Sequence, residues 1–283
     1  MKRIFHILLL LLTVMACDEE IFVTYPPQLV VEGWIDDGGF PVVILSENVP
    51  VSQEYTDVAT LDDRIVKWAK VTVSDGENEV VLTGKSDPSY FPPYIYTTSR
   101  MRGVAGKTYR LTVSYNDYFV EAETVIPEKV AVERFVAECG DGYYNLKAVI
   151  NDVPDEKNYY KFFVRVIGRD SMYLSSNMSV IDDRNFKFPL EVPLSPGKSI
   201  LNDNDCLFDG SERLLVKFAQ VDSVAYRFWD EYRNYIEVRQ NSFFRYTENA
   251  CSNIKGGLGY WFGYGATEYL CEPYEHDAPI VVD

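Results

Sequence analysis

The sequence predicts a mainly β protein: an N-terminal Ig-like β-sandwich over residues 29–127, then a second β-rich domain over residues 128–283 carrying one amphipathic helix near residues 223–239. Three observations predict it. Short apolar runs recur along the chain with turn residues between them. Their alternation has a period of two, with a single stretch of helical period late in the chain. Finally, 47% of the residues are hydrophobic and 14% aromatic, enough apolar surface for a sizeable core.

The strands follow in order. Leu29 to Ile35 is apolar almost throughout, Asp36-Asp37-Gly38-Gly39 turns the chain, and Pro41 to Leu45 returns. Lys70 to Val73, the Asp75-Gly76 turn and Glu79 to Leu82 form a hairpin signal. In Lys107 to Tyr115, Tyr109, Leu111, Val113 and Tyr115 share one face, and Arg110, Thr112 and Ser114 the other. Asn116-Asp117 then leads into an alternating run from Tyr118 to Val125. This density of strands argues for a sandwich. Pro127 marks the expected domain boundary, since a strand ends there and Glu128-Lys129 is polar.

Beyond it, β character continues in Tyr143 to Ile150, Tyr159 to Ile167 and Glu212 to Val221. The stretch from roughly Arg169 to Gly210, dense in Asp, Asn, Ser and Pro, reads as a long irregular loop. The helix is written in Val224, Ala225, Phe228, Tyr232, Tyr235 and Ile236, with Arg227, Asp230, Glu231, Arg233 and Glu237 opposite and Asp222 or Ser223 as its cap.

Composition excludes several chemistries. With 27 basic against 43 acidic side chains the net charge is −16 and no basic patch forms, so nucleic acid is a poor partner. Of two histidines, His6 falls in an N-terminal leader. A two-histidine zinc site is thereby excluded within one chain, and any Ser-His-Asp or Cys-His machinery would rest on His276.

That leader spans residues 1–16. Lys2 and Arg3 precede an apolar run from Ile4 to Val14, too short for a bilayer span of ~20 residues. Val14-Met15-Ala16-Cys17 resembles a bacterial lipobox, although Met15 departs from the Ala, Ser or Thr more usual there. Cys17 then becomes the acylated, palmitate-bearing first residue, and residues 17–28 a tether to the membrane. Asp18-Glu19-Glu20 would serve as a surface-export signal, or simply as a solvated linker.

The remaining cysteines, Cys139, Cys206, Cys251 and Cys271, suit disulfides in an exported protein. The expected pairing is Cys139 with Cys206 and Cys251 with Cys271. The spacings lack a C-x₂-C element, which argues against a tetrathiolate zinc site. Asp182-Asp183 and Asn202 to Asp205 fail the EF-hand pattern, because Leu207 and Phe208 occupy positions that need a ligand and a glycine. No metal or cofactor is expected.

Two aromatic clusters remain. Tyr90, Phe91, Tyr94 and Tyr96 lie in one loop-to-strand segment, and Trp261 and Tyr264 in a second that is interrupted by glycines. Such rings could contact a small molecule, glycan or peptide, or a partner protein. For any single ring, a place in the core of packed sheets is the reading to prefer.

The lipobox at Cys17, the Leu29 to Ile35 strand, Gly103 to Val113 and Asn253 to Tyr260 together resemble the domain-of-unknown-function 4249 lipoproteins of Bacteroidota. The resemblance implies an outer-membrane, lipid-anchored, surface-exposed protein working beside a TonB-dependent outer-membrane transporter. It carries no catalytic residues to transfer. The expected function is therefore a non-enzymatic accessory or substrate-binding partner in nutrient uptake. The alternatives are a surface glycan hydrolase using paired carboxylates, or an adhesin-like structural module.

Overall fold

The computed structural model describes residues 28–48, 64–151, 157–197, 207–239, 251–272 and 280–282. Among the described residues the chain is mainly β, built from several largely antiparallel sheets with one α-helix. β1 (Leu29–Asp36) and β2 (Val42–Glu47) pair antiparallel across the predicted glycine turn, where Gly38 has φ 78°. β3 (Lys70–Ser74) and β4 (Glu79–Val81) close the hairpin expected around Gly76, whose φ of 89° suits a residue without Cβ. β5 (Thr83–Ser86) pairs with β6 (Tyr94–Thr97), and β7 (Thr108–Tyr115) with β8 (Tyr118–Val125) through Asn116 at φ 48°.

β9 (Val132–Cys139), β10 (Tyr143–Ile150), β11 (Tyr159–Val166) and β12 (Leu174–Asp182) follow, then β13 (Leu190–Leu194), β14 (Phe208–Asp209) and β15 (Leu214–Val221). The helix α1 covers Ser223–Arg239, as its periodicity predicts. The Asp222 carboxylate accepts the backbone N–H groups of Val224 and Ala225 at 2.9 and 2.7 Å, the capping bonds expected of that residue. β16 (Leu258–Cys271) and β17 (Ile280–Val282) complete the chain. No helix among the described residues is long and apolar enough to cross a membrane.

A nine-stranded sheet runs β12-β11-β15-β16-β1-β2-β6-β5, with β17 beside β16. Two four-stranded sheets accompany it, one ordered β4-β3-β7-β8 and one of β13-β10-β14 with β9 also on β10. β16 organises the large sheet. Its first half lies parallel to β1, pairing Leu258 with Val30 through Tyr264 with Asp36. Its second half lies antiparallel to β15, pairing Gly265 with Gln220 through Cys271 with Leu214.

Each small sheet shares a core with the large one. Val31, Ile35, Val43 and Trp261 of the large sheet pack with Val71, Leu111, Val113 and Val120 of the β4-β3-β7-β8 sheet. Phe162, Val164, Val216, Phe218 and Tyr269 pack with Tyr144, Leu146, Val192 and Phe208 of the other. Between these cores the chain from β8 to β9 crosses β16 at two glycines. A Cβ on Gly263 would lie 2.6 Å from the Val125 carbonyl oxygen, and one on Gly265 2.5 Å from that of Glu128. Both distances are inside contact, so only glycine allows the crossing.

Two expectations are corrected. The stretch expected to be an irregular loop from Arg169 to Gly210 contains β12, β13 and β14, with residues 198–206 outside the described residues. Ser, Asn and Pro masked the alternation there. Pro193 is tolerated because β13 is an edge strand, where a missing N–H breaks no ladder. Secondly, the Cys251–Cys271 bridge is absent, and both residues carry free thiols. Cys251 is held beside α1, its N–H donating to the Glu231 carboxylate at 2.5 Å, while Cys271 ends the 14-residue β16 inside the second core. An extended strand rising ~3.3 Å per residue separates them by far more than a disulfide spans. Burial pushes the Cys271 thiol up to about 12, which leaves it protonated and inert. The expected Cys139–Cys206 bridge is not found either: Cys139 forms no disulfide, and Cys206 lies outside the described residues.

Candidate functional site

On one face of the nine-stranded sheet, period-two alternation sets aromatic and charged side chains side by side. The register places Glu32 opposite Tyr260, Trp34 opposite Phe262 and Asp36 opposite Tyr264. Phe163 of β11 stands opposite Lys217 of β15, which in turn stands opposite Glu268 of β16. α1 covers part of this face, with Ala225, Phe228 and Trp229 packed on Phe163, Phe262 and Tyr264. Elsewhere Val42, Ile44 and Ile95 pack with Trp34 and Tyr90.

A polar cluster interrupts this aromatic surface. Lys217, 7% exposed, donates to Asp36 Oδ2 at 2.5 Å. Its ammonium also lies 5.1 Å from the Tyr264 ring centroid and 5.8 Å from that of Phe163. Asp36 remains 23% exposed, yet its second oxygen, Oδ1, is buried without a hydrogen-bond partner. The Tyr173 hydroxyl is buried as well. The Glu268 carboxylate is its polar neighbour, acting on it through charge and a side-chain hydrogen bond, and Arg165 lies 5.4 Å over its ring.

Burial, then Glu268, push the Tyr173 phenol well above its ordinary value. Burial also raises Tyr90, with Asp87, Asp36 and Glu268 adding to it. Asp36 and Glu268 thus act on both phenols, which places them in one electrostatic neighbourhood. Burial raises the Glu32 carboxyl and the Tyr264 phenol as well.

The six aromatic candidates separate. Trp261 is fully buried in the first core, its indole N–H donating to the Tyr109 carbonyl at 3.0 Å over a Gly33 that leaves room for the ring. Tyr96 is 2% exposed, and its hydroxyl donates to the Val66 carbonyl at 2.9 Å. Tyr94 donates to the Lys67 carbonyl at 3.0 Å and packs edge-on to Tyr96. These three brace the first core and the segment leading into β3. Tyr264 accepts from the Trp229 indole N–H at 3.1 Å and borders the polar cluster through Lys217. Tyr90 borders it too, packing on Trp34 at 6.0 Å, and Phe91 follows in a half-buried position. Cys17, Asp18, Glu19 and Glu20 lie outside the described residues.

Sequence reasoning missed Asp36, Arg165, Tyr173, Lys217 and Glu268. One signal was available: Lys217 interrupts the apolar run Leu214 to Val221, and a charge inside a buried strand needs a partner. Among the described residues no group of three or more His, Cys, Asp or Glu is placed to hold a metal ion.

The family described as "Domain of unknown function (DUF4249)" matches residues 18–269. No curated protein matches the chain.

Proposed function

Because this chain belongs to the DUF4249 family, we propose that it is a lipid-anchored, non-enzymatic binding protein of the outer membrane that serves a TonB-dependent transporter. The observation that carries the binding role is the polar cluster set into the aromatic face, in which Asp36 Oδ1 is buried without a hydrogen-bond partner while the Asp36 side chain stays 23% exposed. A buried polar group left unsatisfied costs about 1–3 kcal/mol, and a ligand able to complete it recovers that cost. The anchor rests on Val14-Met15-Ala16-Cys17, and surface display on Asp18-Glu19-Glu20. Membership of the family is the ground for the transporter. We further read the first packed pair of sheets as an Ig-like sandwich.

Affinity capture of the intact lipoprotein from native membranes tests the partner. A co-purifying TonB-dependent transporter is expected, and recovery of free monomer alone refutes the reading. Cys17→Ala should move the protein from the membrane to the soluble fraction.

The hydrolase alternative draws on Asp36 and Glu268, whose charges both bear on Tyr90 and Tyr173. Glycan turnover that is abolished in Glu268→Gln would favour it over the binding role.

A further inference from the structure

We propose that the end of the first packed pair of sheets at which Gln28 enters the fold seats on a bilayer surface, with Trp68 and Phe119 entering the headgroup layer. This rests on the lipid anchor proposed above and adds to it a fixed orientation of the fold on the membrane.

Hydrogen bonds and register bring the parts to one end. Gln28, the first described residue, donates its N–H to the Asn48 side-chain oxygen at 2.8 Å, and its carbonyl accepts the Asn48 N–H at 3.0 Å. The neighbouring Glu47 N–H donates to the Arg64 carbonyl at 3.0 Å, and Ser46 bridges Ile65. From there the chain runs through Trp68 to Lys70, which opens β3 opposite Ser114, and Ser114 stands opposite Phe119. A Cβ on Gly257 would meet both the Leu29 carbonyl and the Val120 side chain, so the start of β8 lies close to the start of β1.

That end exposes what the rest of the fold buries. Trp68 is 90% exposed and Phe119 57%, the two most exposed large hydrophobic side chains among the described residues. Val71, Val113 and Val120 point into the first core, so alternation turns Lys70, Ser114 and Phe119 to the outer face of the same sheet. Exposed Lys255 adjoins them, bridging Glu121 of β8. The carboxylates of this end are Asp117 in the β7–β8 turn, Glu121, and Glu47, which pairs with Arg64 at 4.0 Å. Cations and carboxylates are thus interspersed here although the chain carries a net charge of −16, which relieves the repulsion that phosphate headgroups would meet elsewhere.

Two arguments favour a bilayer over a protein partner. The core of a protein interface is depleted in lysine, whereas the membrane interface takes Trp together with Lys, whose stem lies along apolar surface while its charge stays in water. The second is reach. Gln28 lies eleven residues from Cys17, and that length of chain extends at most about 40 Å, so an anchor at Cys17 keeps the bilayer on the side of this end.

The test holds the chain from residue 17 onward on phosphatidylcholine vesicles through a hexahistidine tag in place of Cys17 and a nickel-chelating lipid. Lipids brominated in their acyl chains should quench tryptophan emission, and Trp68→Phe, which keeps an apolar ring, should remove most of that quenching because Trp229 and Trp261 are buried in the fold. Phe119→Ser keeps Trp68 as the reporter and should lower the quenching. Both positions are exposed, so near-ultraviolet circular dichroism should show the fold retained. Absence of quenching in the wild-type chain, quenching that survives Trp68→Phe, or quenching unchanged by Phe119→Ser each overturns the proposal. Loss of transporter capture in Trp68→Phe without any bilayer quenching would assign this end to a protein partner instead. The anchor is decided separately: retention of Cys17→Ala in the membrane fraction removes it, while the tagged chain still reports whether this end seats on a bilayer.

Discussion

Lys161 carries a charge into a place that rejects it. The side chain is fully buried beneath α1, donates to Ser175 Oγ at 2.8 Å, and lies 4.1 Å from the Trp229 ring centroid and 4.7 Å from that of Phe163. Burial first, and the nearby Arg233 second, hold its ammonium well below the ordinary value of 10.5. In the unfolded chain that amine keeps its ordinary value. Between the lowered folded value and 10.5 the unfolded state therefore binds more protons, and stability rises with pH across that window. Chemical denaturation at pH 7 and pH 10 should show a higher midpoint at pH 10, and Lys161→Met should lose this component. Equal pH slopes in the two proteins would contradict the assignment. Trp261 gives the contrasting case of a residue whose work is packing. Trp261→Ala should cost about 3–5 kcal/mol, read from denaturant midpoints, because the ring is fully buried and its N–H is bonded. Both residues show what a sequence can say at this scale. Lys161 stands out inside Tyr159 to Val166 as a charge in an apolar strand. Trp261 was legible only as an aromatic, since its position inside or outside depends on the partner that Gly33 admits.

Among the elements, α1 and β16 mark the two extremes of legibility. α1 was readable from its 3.6-residue period and its cap, because a helix satisfies its backbone within one segment. Removing the cap tests that locality: Asp222→Ala should cost about 1 kcal/mol of stability and leave the sheets unchanged. β16 was harder, because glycines replace the residues that would complete its alternation. Its even positions, Tyr260, Phe262, Tyr264 and Ala266, join the cluster under α1, and its odd positions, Trp261, Tyr269 and Cys271, enter the two cores. Gly263 and Gly265 occupy the odd positions between, where the chain from Val125 to Glu128 passes over the strand. Thr124 Oγ1 accepts the Gly263 N–H there at 2.8 Å. Gly265→Val would drive a branched side chain into two backbone carbonyls, which cannot rotate aside as a side chain can. Its cost should exceed that of an ordinary overpacked site, about 1–3 kcal/mol, and thermal melting of the variant measures it. Val substituted at Gly38, where nothing lies within reach of a Cβ, tests backbone conformation alone through its φ of 78°.

At the scale of the whole molecule, β16 ties the first core to the second. β1 begins the described chain and takes β16 as its parallel neighbour, so residues separated by most of the sequence share one ladder. A parallel partner leaves no local mark in the way a two-residue turn announces a hairpin, which is why the near hairpins were legible and this pairing was not. The consequence is energetic. The first core includes Trp261 and Ile254, both from beyond Pro127, and β1 would present an open edge without β16. A domain of this size is stabilised by only about 5–15 kcal/mol, and loss of Trp261 alone removes about 3–5 of that. A fragment of residues 28–127 should therefore be largely unfolded in isolation, with a poorly dispersed amide spectrum. Calorimetry of the intact chain should give one cooperative transition, and Trp261→Ala should lower that single transition without splitting it. A well-dispersed spectrum from the fragment, or two separable transitions in the intact chain, would show that the first core stands without β16. The polar cluster would be affected in the same experiment, because Asp36 ends β1 while Lys217 and Glu268 belong to the β15–β16 pair. Any condition that detaches β1 from β16 takes Asp36 from Lys217, so ligand binding and union of the two cores should be lost together.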